Sequence, residues 1–85
     1  MVVLVVGADE AVVAEATGRA GEDGDVIVLD PSPERLERLE RSVRDPRVWF
    51  LIGDGAVMPL PDRSVDAALG GKTSPEIERV LRSGA

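Results

Sequence analysis

Four short segments of this 85-residue chain combine residue types that could hold a small polar ligand: Gly7-Ala8-Asp9, Asp30, Gly53-Asp54-Gly55-Ala56 and Gly70-Gly71. Each follows an apolar run, so each stands where a strand gives way to a loop. An ionised carboxylate only accepts hydrogen bonds, which suits Asp30 to the hydroxyls of a ribose and Asp54 to an exocyclic amine. Two such acids beside a glycine turn fit a neutral or cationic nucleoside and would repel a pyrophosphate. Asp9 and Glu10 point the same way, because they place negative charge at a helix start, where a dinucleotide fold receives its phosphates. NAD and FAD are therefore disfavoured. Each segment also has a plainer reading: Gly7 as a tight strand-to-helix turn, Asp30 before Pro31 as a turn opener, Gly53-Asp54-Gly55 as an ordinary turn.

The composition removes other chemistries. There is no Cys and no His, so disulfides, thiolate zinc sites, Ser-His-Asp triads and Cys-His pairs are excluded. The net charge of -6, with no Lys/Arg run free of interleaved acids, opposes binding to a phosphate backbone. The opening run Met1 to Val6 has no basic flank and is too short for a bilayer span, so a soluble cytoplasmic protein is expected, with no membrane partner. One domain is expected at this length, with a thin core that favours self-association.

The elements that must position these acids alternate between apolar runs and amphipathic segments, the pattern of parallel strands covered by crossover helices. The order reads β-α-β-α-β-β-α. The first strand, Val2 to Val6, is an unbroken aliphatic run suited to a sheet interior buried on both faces. A helix from about Asp9 to Arg19 buries Val12, Val13 and Ala16, and a second strand, Val26 to Leu29, ends at Asp30. The second helix has Ser32 as N-cap, Pro33 at its first position, and Leu36, Leu39 and Val43 as its buried stripe. Its outer face offers the i, i+4 pairs Glu34–Arg38, Glu37–Arg41 and Glu40–Arg44.

A third strand, Val48 to Ile52, follows Asp45-Pro46, with Trp49 and Phe50 expected in the core or facing a helix. A loop through Pro59, Pro61 and Asp62 leads to a fourth strand, Val65 to Leu69, in which Asp66 is read as structural. The last helix has Ser74 as cap, Pro75 at its first position, Ile77, Val80 and Leu81 as its stripe, and Gly84 at its stop. The expected fold is an α/β Rossmann-like three-layer sandwich with a short, mostly parallel four-stranded sheet of order 3-2-1-4. In such a sheet ligands bind beyond the carboxyl ends of the strands, where the four segments would gather.

The segment GDGAVMPLPDRSVDAAL, Gly53 to Leu69, resembles the stretch GDAxxLPFPDxSFDxV of class I S-adenosylmethionine (SAM)-dependent methyltransferases related to the quinone-biosynthesis and sterol C-methyltransferases. VIVLDPSPERLERL, Val26 to Leu39, is similar to that family's VxGxDxSPxMLxxA, and EIERVLRSGA, Glu76 to Ala85, to its ExxRVLxPGG. The resemblance implies SAM as cofactor, with Asp30 on the ribose hydroxyls, Asp54 on the adenine amine, and Gly55 and Ala56 lining the adenine. Gly7, Ala8, Asp9 and Gly70 complete the implied cofactor rim.

The departures from the family pattern shape the expected function. Of the glycine motif acid-x-GxGxG, only Gly7 remains: Val5 stands for the acid, and Asp9 and Ala11 for the later glycines. Gly70 to Ser74 replaces a longer stretch that carries part of the methyl-acceptor pocket, and the family's elements beyond the RVL helix do not follow. The resemblance thus implies a truncated methyltransferase-like domain without a complete acceptor site and with no catalytic residue assigned. A non-catalytic interaction or regulatory module and a small nucleoside sensor are the alternatives. A bare fourth strand would need cover, so a homodimer through that edge or the last helix is expected, alongside a possible partner protein.

Overall fold

The computed structural model describes residues 1–54, 56–71 and 74–81. In chain order it contains β1 (Val2–Val6), α1 (Glu10–Ala20), β2 (Asp25–Asp30), α2 (Pro33–Ser42), β3 (Val48–Ile52), β4 (Ala67–Leu69) and α3 (Pro75–Val80). The four strands form one sheet of order β3-β2-β1-β4, parallel at every pairing. Val2 to Val6 pair residue for residue with Asp25 to Leu29, and Val26 to Asp30 pair with Val48 to Ile52. All strands therefore point their carboxyl ends at the same rim.

Side-chain alternation along the strands divides the core into two layers. Val3, Val5, Val26, Val28 and Val48 meet Val13, Ala16 and Ala20 of α1 and Leu36 and Leu39 of α2. On the opposite face Leu4 and Leu29 meet Met58, Val65, Ile77 and Val80. The helix caps form as the sequence predicts: the Ser32 hydroxyl accepts from the Arg35 N–H and the Ser74 hydroxyl from the Ile77 N–H, each with Pro next in the chain. Gly84, expected as the last stop, lies outside the described residues.

Several expectations are corrected. Asp9 is the N-cap of α1 rather than its first residue, and Val12 is only half-buried. Of the three ion pairs expected on α2, Glu37–Arg41 forms, at 3.1 Å; Arg44 lies beyond the helix end, so Glu40 and Arg44 do not share a helical face. Trp49 is 58% exposed, because it projects from the α3 side of β3, beyond the reach of a six-residue helix; its indole N–H donates to Asp25 at 3.2 Å.

β4 is shorter than expected for a specific reason. Asp66 clamps the start of β1, accepting from the Val2 N–H at 2.7 Å while its own N–H donates to the Val2 carbonyl at 2.8 Å. The Val65 N–H consequently faces away from β1 and donates to the Val80 carbonyl at 2.9 Å, and Val65 forms an isolated parallel bridge with Leu81. The outer edge of the fourth strand is therefore covered at its beginning by the end of α3, not bare along its length.

Candidate functional site

The carboxyl-end rim is stitched together across the sheet. The Gly7 N–H donates to the Leu29 carbonyl at 2.7 Å, and the Gly53 N–H donates to the Asp30 carbonyl at 3.2 Å. The loops after β1, β2 and β3 are thus held in one row. Gly70 adds the fourth: it has φ +74°, and a Cβ there would stand 2.7 Å from the Val6 carbonyl oxygen, so only glycine permits the chain to turn this close to the end of β1. Gly7 has φ +103° with open space around it, so its requirement is conformational.

Asp30 is the only buried charged side chain among the described residues, at 2% exposure, and both its oxygens are engaged. Oδ2 accepts from the Ala8 N–H at 2.9 Å and Oδ1 from the Ser32 N–H at 2.8 Å. Backbone donors satisfy a buried carboxylate without a counter-charge, and here they fix the first turn against the entry to α2. Each oxygen keeps a further lone pair as acceptor capacity.

Asp9 also has work within the fold. Its Oδ1 accepts from the Ala11 and Val12 N–H groups at 3.0 and 3.3 Å, capping α1 with an exposed carboxylate. Asp54 is exposed and shapes its own loop: Oδ1 accepts from the Ala56 and Val57 N–H groups at 2.8 and 2.9 Å. Ala56 is exposed beside it, and Gly55 lies outside the described residues. The structure thus brings Gly7, Ala8, Asp9, Asp30, Asp54, Ala56 and Gly70 to one end of the sheet. A groove of about 330 Å³ opens nearby between α1 and α2, with Glu10, Arg35, Arg38 and Ser42 in its wall, but it meets the rim at Ala8 alone.

The sequence reading missed two residues that hold this rim, Glu76 and Arg79. Arg79 donates through Nε and Nη2 to Glu76 at 2.9 and 3.0 Å, through Nη1 to Asp62 and the Leu60 carbonyl at 2.7 and 2.8 Å, and through Nη2 to the Met58 carbonyl at 3.1 Å. Glu76 accepts from the Met58 N–H at 3.0 Å. The bidentate pair lashes the loop that follows Asp54 to α3. The Arg79 guanidinium and the Met58 N–H hold the Glu76 carboxyl down at about 2, and Glu76 and Asp62 raise Arg79 above its ordinary value. The signal was present, since Glu76 and Arg79 are the fixed acid and arginine of the ExxRVL match, three residues apart and so on one helix face.

The donor set on this rim, carboxylates and backbone groups without thiol or imidazole, is one for hydroxyls and amines. Among the described residues no cluster suits a metal ion, and no helix is long and apolar enough to cross a membrane.

Comparison with known proteins agrees with this geometry. A family model described as a methyltransferase domain matches residues 3–84. Uncharacterized methyltransferases of Mycobacterium bovis and Mycobacterium tuberculosis are 38% identical over an alignment covering 80% of this chain, which spans 31% of their length. A chain in the solved complex between the Haloferax volcanii Trm112 methyltransferase activator and a candidate methyltransferase superposes with a TM-score of 0.75 at 25% identity, covering 95% of this chain and 40% of that one. With the parallel 3-2-1-4 sheet and the row of strand-end loops in place, the chain belongs to the methyltransferase domain family.

Proposed function

We propose that this chain is the SAM-binding half of a class I methyltransferase of the quinone-biosynthesis or sterol C-methyltransferase kind, working with a protein partner that completes the acceptor side. The observation that carries the reading is the rim itself: Asp30 ends β2 and Asp54 follows the adjacent parallel β3, and Gly53 N–H bonds the Asp30 carbonyl, so the two acids share one row with the turn at Gly7. SAM, when bound, supplies an electrophilic methyl group on a sulfonium. The residues of this chain bind and orient: Asp30 receives the ribose hydroxyls through its remaining lone pairs, and Asp54 receives the adenine amine. Gly55 and Ala56 line the adenine, Gly7, Ala8 and Gly70 leave room for the backbone to approach, and the Asp9 carboxylate faces the cofactor's ammonium. No catalytic residue is assigned, because such a transfer depends mainly on holding donor and acceptor in line.

A partner protein is supported by the neighbouring Haloferax structure, a complex with a methyltransferase activator. A homodimer through β4 or α3 is the other form of this idea, but β4 offers only Ala67–Leu69 for pairing, since the end of α3 covers Val65. The acidic, cysteine-free composition supports a cytoplasmic location.

Two alternatives, a non-catalytic interaction module and a nucleoside sensor, draw on the inward commitment of Asp30 and the capping role of Asp9. Isothermal titration with SAM, S-adenosylhomocysteine and adenosine separates the three. Binding of SAM and S-adenosylhomocysteine that weakens in Asp54→Asn is the expected result. Adenosine binding with no preference for the methionine portion favours the sensor, and no binding of any of the three at millimolar concentration ends the cofactor reading.

A further inference from the structure

β3 is an edge strand of the sheet, and β2 is its neighbour on one side. The Arg47 carbonyl accepts from the Val26 N–H and the Gly53 N–H donates to the Asp30 carbonyl, so the odd-numbered residues from 47 to 53 address β2. By the alternation of a parallel ladder, the backbone groups of Val48, Phe50 and Ile52 point away from the sheet. The Val48 N–H is taken by the Asp45 carbonyl at 3.0 Å. The outward row is flanked on one face by an apolar groove lined by Val2, Ile27, Trp49 and Leu51, and on the other by a mixed groove in which Val43, Val48 and Phe50 stand beside Glu40, Arg44 and Asp45. Trp49 and Ile52 are 58% and 62% exposed, the opposite of what a protected edge strand shows.

We infer that β3 pairs with the β3 strand of a second copy of this chain, antiparallel about a two-fold axis through Phe50, to give one continuous eight-stranded sheet. In this register the residues with outward groups meet one another. Phe50 N–H donates to the second copy's Phe50 carbonyl, and Ile52 N–H donates to the second copy's Val48 carbonyl, each twice by symmetry. Side chains pair apolar with apolar on both faces: Val48 against Ile52 and Phe50 against Phe50 on the α2 side, Trp49 against Leu51 on the other. A shift of the pairing by one residue sets the inward-directed groups of one strand against the outward-directed groups of the other, so one-residue slips are excluded. Arg44, Asp45 and Arg47 precede the strand, with Arg47 paired to Asp45 at 2.8 Å, and Asp54 follows it, so an antiparallel partner sets each Asp54 beside a segment of net positive charge. A strand from an unrelated protein has no reason to match this near-palindrome, Val-Trp-Phe-Leu-Ile, on both faces at once.

The test is sedimentation equilibrium of the full chain from micromolar to near-millimolar concentration, against a chain mass of 9.0 kDa. The expected result is a transition from one to two chain masses, with dissociation strengthened about tenfold or more in Ile52→Lys and Trp49→Lys at unchanged far-ultraviolet circular dichroism. Trp49 is the sole tryptophan, so in the wild-type chain its emission should shift to shorter wavelength over the same concentration range. That second readout needs no variant to fold. A mass of one chain throughout, a dimer that both variants leave intact, or a dimer that forms without the emission shift overturns the inference.

Discussion

The two faces of the sheet are covered by different physics. On one, α1 and α2 supply eleven and ten residues of helix, and their aliphatic stripes meet five valines of β1, β2 and β3. On the other, a six-residue α3 and the loop after Asp54 carry the layer, and a polar network centred on Arg79 ties them together. The crossovers from β1 to β2 and from β2 to β3 each contain a helix, whereas the described residues of the crossover from β3 to β4 contain none. A loop that runs over a sheet must satisfy its own carbonyls, and Arg79 does this for Met58 and Leu60. The second face therefore depends on a few charged groups where the first depends on area. It also leaves Ile27 and Leu51 half-buried and Trp49 exposed.

Predictions that break or sharpen this contrast begin in the core. Leu4, fully buried on the α3 side of the central strand β1, is expected to cost about 3 kcal/mol on replacement by Ala in urea unfolding, showing that the thin layer is nevertheless packed. A cost well under about 1 kcal/mol would mean that the second face is loose. Asp30→Ala strands the Ala8 and Ser32 N–H groups at a buried position, for an expected loss of about 2 kcal/mol, measured the same way.

Arg79→Gln should leave the α1/α2 face intact while the loop from Met58 to Asp62 becomes the first site of limited proteolysis and of amide exchange. If protection falls equally on both faces, the network is not local. Glu76 and Asp45 both sit at about 2 in the fold, against ordinary values of 4.5 and 3.8, because Arg79 and Arg47 respectively hydrogen-bond their ionised forms. Folded values below unfolded ones give stability that is full above about 4.5 and is lost as pH falls toward 2. In Arg79→Gln the share from Glu76 should vanish, flattening the acid limb of a melting-temperature profile. The smallest effect is expected at the surface of α2, where Glu37→Ala should cost only about 0.3–0.5 kcal/mol.

Much of the fold was legible because its signals are local. The aliphatic run of β1, the Ser-Pro starts of α2 and α3, and the Asp and Gly residues at strand ends each act over a few residues, and the parallel order follows from the alternation of elements. The candidate rim was legible for a related reason: once the strands are parallel, residues at their carboxyl ends share a side of the sheet. The burial of Asp30 was not legible, since the Ala8 N–H that helps fix it is 22 residues away. The same holds for Glu76, whose partner Met58 is 18 residues distant, and for Trp49, whose exposure depends on where a short helix stops.

By itself the sequence determined which segments become strands and helices and which end of the sheet carries the acids, because propensity, capping and periodicity are short-range. Only the tertiary structure decided that Asp30 turns inward to brace two loops, that α3 covers the start of the fourth strand, and that β3 keeps an open apolar edge. Those outcomes are set by hydrogen-bond and packing partners brought together by the crossovers, and no local pattern encodes them.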